Sequence, residues 1–458
     1  MRLLAALISL GLLATPLAET SASVSGPEGS PQAVTLYDPS PGHIWNRLHD
    51  VLLVREGPTG IRHGADSLDP LLWLNSKHLL AAPSHQRALR VLDEFLHTHA
   101  ENLIRDPLKR AILQRDLWAV FDWSVQQRPE RPGETEYEPE KRELQARLAA
   151  VLRQIALTSK QIESLPDNYA QAVASGDFGK AYDPAHRDRA FMPPDLFEQH
   201  GPWVEIEGAG DLEPVASQHV SSVSGRSRFL VFIRLPQGRK ATFEYLKTLW
   251  NFPQPWVVRR GVPEQAEVNP NLPSFPAGTE VALVRQMTLF DDQGKLIPAP
   301  LTESVQIRVY RSITTAQEEH PESGFKENIA KSGQDFYEIR LSRPQLFANK
   351  GGGLRAVGQE EREFLIFQAQ GHDEVEDSER WPLEKYPAIL QLCVACHRGT
   401  GINSLNTREK LLKPRLLHDA QWVYPPRWWE DDGTIYWKQE RYEWGLLNGY
   451  WRTSDGMH

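Results

Sequence analysis

The stretch Cys393-Val394-Ala395-Cys396-His397 holds both cysteines of this 458-residue chain. The residues before it, Ala388 to Leu392, are mostly apolar, and Pro387 predicts a helix start because proline is favoured at the first helical position. Two thiols three residues apart on a helix lie on the same face, about one turn apart. The imidazole of His397 follows directly, so the motif predicts one compact site built from three side chains.

Cys-x-x-Cys-His is the attachment signature of a c-type haem. Each thiol forms a thioether to one edge of the porphyrin, and the imidazole of the next residue ligates the iron. The chain has 2 Cys and 15 His, so the motif occurs by chance at a given cysteine roughly once in ten thousand. We therefore predict one covalent haem c, with Cys393 and Cys396 as attachment residues and His397 as the proximal iron ligand.

Two other uses of the cysteines stay open. A zinc site needs three or four protein ligands, and this motif supplies three, but the chain has no second cysteine pair. A thioredoxin-like dithiol or a disulfide is also compatible with Cys-x-x-Cys, although the flanking sequence lacks the pattern of a βαβ unit.

The N-terminus has the pattern of a secretory signal peptide. Arg2 precedes an apolar run from Leu3 to Leu13, and small residues follow, so cleavage is predicted near Ala18 or Ala22. This predicts a periplasmic or secreted protein, with an uncleaved anchor as the alternative. No later apolar run approaches membrane-spanning length, so we expect no transmembrane segment in the mature chain. The net charge of -9 argues against nucleic acid as a partner.

Apolar periodicity predicts a multidomain α+β protein. Stripes at helical spacing cover Leu89–Leu96, Leu108–Phe121 and Leu144–Ile155, and Thr158 with Gln161 predicts a capping box. The dense apolar run Phe229–Ile233 and four further short runs predict antiparallel strands of a sandwich or barrel; the further runs are Val281–Leu289, Val305–Val309, Tyr337–Leu341 and Phe364–Phe367. Asp291 to Gly294 predicts a hairpin turn.

These patterns divide the chain into six segments. They are a signal peptide (1–22), a flexible leader (23–42), an N-terminal helical domain (43–200), a central antiparallel β-rich domain (201–370), an acidic linker (371–385) and a C-terminal haem-binding region (386–458).

Residues 386–458 resemble the class I cytochrome c module, a small α-helical fold. In that family the attachment motif ends one helix, a loop wraps the haem, and a C-terminal helix packs across the first. The segment from Thr434 to Trp451 is the candidate for that last helix. Its Trp437, Trp444 and Trp451 recur every seven residues, which predicts either ordinary core packing or contact with the haem.

The chain departs from this family at the second axial ligand. The resemblance implies a methionine in the loop before the last helix, but no Met lies between His397 and Trp451. The candidates are His418 in that loop and Met457 near the C-terminus. A residue from another domain, such as Met192, Met287 or His372, is also possible, although the phase of Met287 with its strand favours a core role. A vacant sixth position stays open as well.

The sequence predicts an exported mono-haem c-type cytochrome acting in electron transfer. Its partner would be a redox protein or a small-molecule electron donor or acceptor. The alternative is a haem-dependent periplasmic oxidoreductase or ligand sensor, in which the upstream domains form the substrate pocket, so enzymatic activity stays open and no catalytic residue is assigned. A third hypothesis is an interaction protein without haem that carries a Cys393–Cys396 disulfide.

Overall fold

The computed structural model describes residues 35–56, 62–69, 77–127, 137–207, 214–258, 266–313, 333–362, 388–397, 401–405, 413–414 and 433–455. The predicted signal peptide, the acidic linker and the strand at Phe364–Phe367 lie outside these residues. So do three candidate ligands (His372, His418 and Met457) and the side chains of Cys393 and Cys396.

The first half of the described chain is helical, as predicted. Its helices are α1 (Ile44–Leu53), α2 (Ala82–His97), α3 (Pro107–Gln126), α4 (Glu138–Ile155), α5 (Ser159–Glu163) and α6 (Asn168–Ser175). Pro107 occupies the first position of α3, and the Asp106 side chain caps that helix. Thr158 and Gln161 form the predicted capping box of α5. Local sequence signals therefore set these helix starts.

The packed fold begins before position 43, within the predicted leader. Tyr37 is 1% exposed, and its ring centroid lies 5.6 Å from that of Trp45. The Asn46 side chain accepts a hydrogen bond from the Tyr37 backbone nitrogen at 2.8 Å. Residues 35–42 are thus held against α1 by burial and by side-chain hydrogen bonds.

Four of the predicted strands pair with three further strands in one seven-stranded antiparallel sheet. Its strands are β3 (Val204–Glu207), β4 (Ser227–Arg234), β7 (Glu280–Phe290), β8 (Leu296–Tyr310), β9 (Gln334–Leu341), β10 (Leu354–Ala356) and β11 (Lys413–Pro414). Their order in the sheet is β10-β9-β8-β7-β4-β3-β11. Two short pairs complete the described strands: β1 (Arg55–Glu56) with β2 (Arg62–His63), and β5 (Trp256–Val258) with β6 (Ala266–Val268). The chain is therefore a mixed fold of helices and an antiparallel sheet.

The sandwich or barrel that the strands suggested is not what the described residues form. One face of the sheet packs against helices α3, α5 and α6, through Val284, Val305 and Ile339 among others. Helices thus supply the apolar layer that a second sheet would have supplied. The predicted turn joins β7 to β8, and Gly294 there has φ +77.

The other face of the sheet is called here the second face. It carries the strand residues that alternate along the chain with the core-facing residues. Directly opposed pairs share a face, and Val231 opposes Leu283, Leu283 opposes Gln306, and Gln306 opposes Glu338. Four more helices follow sheet strands in the chain: α7 (Ser217–Ser222), α8 (Arg239–Trp250), α9 (Arg343–Phe347) and α10 (Ile389–His397). Leu346 of α9 packs in the core of the first face. Of these, α7 contacts β4 and α10 contacts β9.

The C-terminal segment forms two helices instead of the single predicted one, α11 (Gly433–Gln439) and α12 (Tyr442–Asp455). Trp444 packs on Trp118 at a ring distance of 5.7 Å, and Trp451 packs on Phe290 at 4.8 Å. The indole nitrogen of Trp451 donates to the Ala149 carbonyl of α4 at 2.9 Å. These two tryptophans therefore belong to the core of the helical half. None of the described helices is both long and apolar enough to cross a bilayer.

Candidate functional site

The Cys-x-x-Cys-His motif lies at the end of α10. The sequence predicted that Cys393, Cys396 and His397 would lie in the last turn of a short helix; the helix does end at His397, and Cys393 lies one turn earlier. The helix is anchored at its start, where Ile389 and Leu390 are buried against Val357. The Ile389 backbone nitrogen also donates to the Glu361 carbonyl at 2.8 Å. The motif is thus held at the edge of the sheet formed by β9 and β10.

The imidazole of His397 has a fixed protonation pattern. Its Nδ1 lies 2.8 Å from the backbone oxygen of Ser404, in the 3₁₀ turn Gly401–Leu405. A carbonyl oxygen can only accept a hydrogen bond, so Nδ1 carries the proton and Nε2 keeps its lone pair. A backbone carbonyl that orients a histidine in this way is the usual outer partner of a metal-ligating imidazole.

Strand β8 holds the Ser404 turn in place. The Tyr310 hydroxyl lies 2.6 Å from the Ser404 hydroxyl, and Arg308 donates to the Ser404 carbonyl at 2.9 Å. Gly401 has φ +51, and a Cβ there would collide with the Ser274 side chain, so the turn requires glycine. The carbonyl that orients His397 is therefore positioned by the β-rich part of the chain.

A second imidazole faces the same region. His219 lies on α7, and its ring is nearly parallel to that of His397, with an interplanar angle of 5° and ring centroids 6.1 Å apart. The ring of Phe229 from β4 lies 5.4 Å from that of His219. The fold thus brings together two histidines that are far apart in sequence.

Both imidazoles are neutral at neutral pH. Burial, reinforced by the nearby positive charge of Arg308, lowers the pKa of His397 to about 3. Burial also lowers the pKa of His219; Arg308 and Arg285 act in the same direction, and Glu338 opposes them. A neutral imidazole is the form that donates a lone pair to a metal.

The surroundings of the two rings suit a large flat cofactor with acidic groups. Val220, Val223 and Phe229 form a buried apolar cluster beside His219, and the half-buried Leu283 packs against it. The second face also carries cations, among them Arg308 near both histidines. An apolar wall beside guanidinium groups fits a porphyrin with its propionates, because each part meets a matching environment. The described residues therefore fit a haem.

The methionines proposed from other domains do not lie at this site. Met192 is 1% exposed and Met287 is fully buried, and both belong to the core between the sheet and the helices. The core role predicted for Met287 is confirmed. Both thioethers are therefore enclosed by side chains of that core.

Sequence reasoning missed His219. It stands in a six-residue helix without a neighbouring cysteine, histidine or acidic residue at ligand spacing. Only the pairing of β4 with the central strands places it opposite His397. Comparisons with protein-family models, with curated proteins and with solved structures find no match for this chain.

Proposed function

We propose that this chain is an exported mono-haem c-type cytochrome that transfers electrons. One observation supports the proposal most directly. The Cys-x-x-Cys-His motif ends in an imidazole whose Nδ1–H donates a hydrogen bond to the Ser404 carbonyl, so the lone pair of Nε2 is available to a metal. Cys393 and Cys396 would hold the haem through thioethers, and His397 would ligate its iron.

The haem would supply one-electron chemistry, and the protein would bind it, orient it and set its potential. The Ser404 carbonyl would fix the ring of His397 and increase its basicity. Arg308 donates to that same carbonyl and adds a positive charge nearby. A positive charge favours the reduced iron over the oxidised iron, so Arg308 would raise the reduction potential.

The β-rich part of the chain has a defined task in this proposal. Ser404, Arg308 and Tyr310 connect the His397 end of α10 to β8. The upstream strands would therefore form one wall of the haem site, and the haem region would be smaller than a self-contained cytochrome module. The chain would exchange electrons with a redox protein or a small-molecule donor or acceptor.

Absorption spectra of the full chain, expressed in a host with a c-type haem attachment system, test this function. We expect a low-spin haem spectrum in both oxidation states, unchanged by carbon monoxide, in protein recovered from the periplasm with its N-terminus near Ala18 or Ala22. The same host without the attachment system is the control and should give protein without haem. A high-spin spectrum that responds to carbon monoxide would favour the oxidoreductase or sensor alternative, and no Soret band would overturn the proposal.

A further inference from the structure

We propose that His219 is the second axial ligand of the haem iron, on the side opposite His397. This inference rests on the proposed function and supplies the ligand that the sequence left open. It makes α7 of the β-rich region, instead of the loop after the attachment motif, the source of the sixth ligand. The iron would then be held by two imidazoles, each carried on a helix that contacts the same sheet.

The separation of the two rings carries the proposal. A five-membered ring with bonds of about 1.35 Å places each atom roughly 1.15 Å from the ring centre. Metal–imidazole bonds are about 2 Å long, so two imidazoles on opposite sides of one metal have centroids about 6.3 Å apart. The centroids of His219 and His397 are 6.1 Å apart. The pair therefore has the spacing that a single iron between two histidines requires.

Other arrangements fit this spacing less well. Two histidines on a tetrahedral zinc would have centroids only about 5.1 Å apart. Rings in face-to-face van der Waals contact would be about 3.5–4 Å apart. An offset pair of metal-free imidazoles can reach a centroid distance of about 6 Å, and the experiment below separates that arrangement from ligation.

The surroundings of His219 give a second reason. Its ring packs beside Phe229 and the buried Val220, and within the described part of the chain no hydrogen bond to its ring nitrogens is found. His219 is only partly buried. Its ring nitrogens are thus free to bind iron without first breaking a hydrogen bond to the described residues.

Two histidine ligands would have a functional consequence. Both axial positions would be occupied, so the iron would be low-spin and closed to carbon monoxide. Methionine ligation raises the potential of cytochromes c, so this centre would have a lower potential than a His–Met centre. Electron transfer then needs no ligand exchange, which agrees with a carrier instead of a ligand-binding enzyme.

Removal of the ring and its chemical rescue test the proposal. In His219→Gly, with the thioethers and His397 intact, we expect a full complement of covalent haem, a ferric spectrum that changes from low-spin to high-spin, and a ferrous form that binds carbon monoxide. Added imidazole should restore the low-spin spectrum. The exposed His200 is the matched control, and His200→Ala should keep the spectrum of the natural protein.

A second variant tests the assignment even if His219→Gly does not fold. His219→Met retains a possible ligand, so we expect a low-spin haem with a higher reduction potential. A low-spin His219→Gly spectrum without added imidazole, or an unchanged potential in His219→Met, would overturn the assignment of His219 while leaving the cytochrome proposal intact. Absence of covalent haem from the natural protein would overturn both.

Discussion

Replacing Asp122 by alanine is expected to lower the free energy of unfolding by about 3–5 kcal/mol, because it leaves two buried cations without their shared anion. The Asp122 carboxylate on α3 accepts hydrogen bonds from Arg226 and from Lys438, each at 2.8 Å. The three side chains are at most 2% exposed. This triad joins the helical half, the start of β4 and the C-terminal helix α11.

The environment of Lys438 explains why the decrease in the free energy of unfolding should be large. Burial lowers its pKa, and Asp122 is the main group that opposes this shift. Without Asp122, the Glu443 carboxylate at 3.9 Å would compensate the charge only weakly, so the lysine must either stay charged or lose its proton, and both cost free energy. The Nζ atom of Lys438 also lies 5.0 Å from the ring centre of Trp118, so the disturbance would reach the aromatic core.

Urea unfolding of the natural protein and the variants measures this effect. Asp93→Ala is the matched control, because Asp93 pairs with Arg147 at 2.7 Å but keeps 54% of its side chain exposed. Exposed pairs contribute at most about 1 kcal/mol. Adding Lys438→Met to Asp122→Ala should recover part of the stability by removing one of the two buried cations. An equal loss in Asp122→Ala and Asp93→Ala would show that the buried triad does not hold these elements together.

The double variant Cys393→Ala, Cys396→Ala is expected to lose all covalent haem. Thioether attachment needs a thiol, and the chain has no other cysteine to substitute for these two. His397 and His219 remain, so any haem left in the folded variant would be held by coordination alone and would be released by denaturant. Haem staining of denatured protein separates the two cases.

Each single cysteine variant should retain at most one thioether and give a reduced yield of haem protein. His200→Ala, matured in the same host, is the control for expression and should stain like the natural chain. Equal staining of the natural protein and the double variant after denaturation would show that the haem is attached elsewhere.

Local signals were sufficient for most of the secondary structure. Apolar residues at helical spacing located α2 and α4, because one stripe of each helix must be buried. They also located α3, although Ala111 to Ser124 of that helix are buried on all sides. Pro107 and the Thr158 capping box set helix starts, since each acts on backbone groups of the same turn. Period-two alternation located β7, β8 and β9, and the position of the hairpin turn followed from Gly294.

The arrangement of these elements depended on contacts between distant residues. Tyr37 looked like part of a leader because residues 23–42 are rich in Ser, Pro and Gly. In the fold, Trp45 and the distant Phe347 pack against its ring. The seven-residue spacing of Trp444 and Trp451 favoured ordinary core packing but was also compatible with contact with a haem. Their partners Trp118 and Phe290 belong to α3 and β7, which no local pattern reveals.

Some residues of the candidate site could also be predicted from local sequence, and others could not. Cys393, Cys396 and His397 lie in one short motif, and their spacing alone predicts haem attachment. His219 has no such signal, because its relation to His397 exists only after β4, β7, β8 and β9 have paired and after α7 and α10 have packed on them. A search for a methionine near the motif therefore could not find it.

Intact-mass spectrometry of the matured, denatured full chain tests the central claim most directly. We predict one species, with the mass of the processed polypeptide plus one haem and with no thiol available for alkylation. A mass without the haem, with Cys393 and Cys396 free or joined to each other, would contradict the claim.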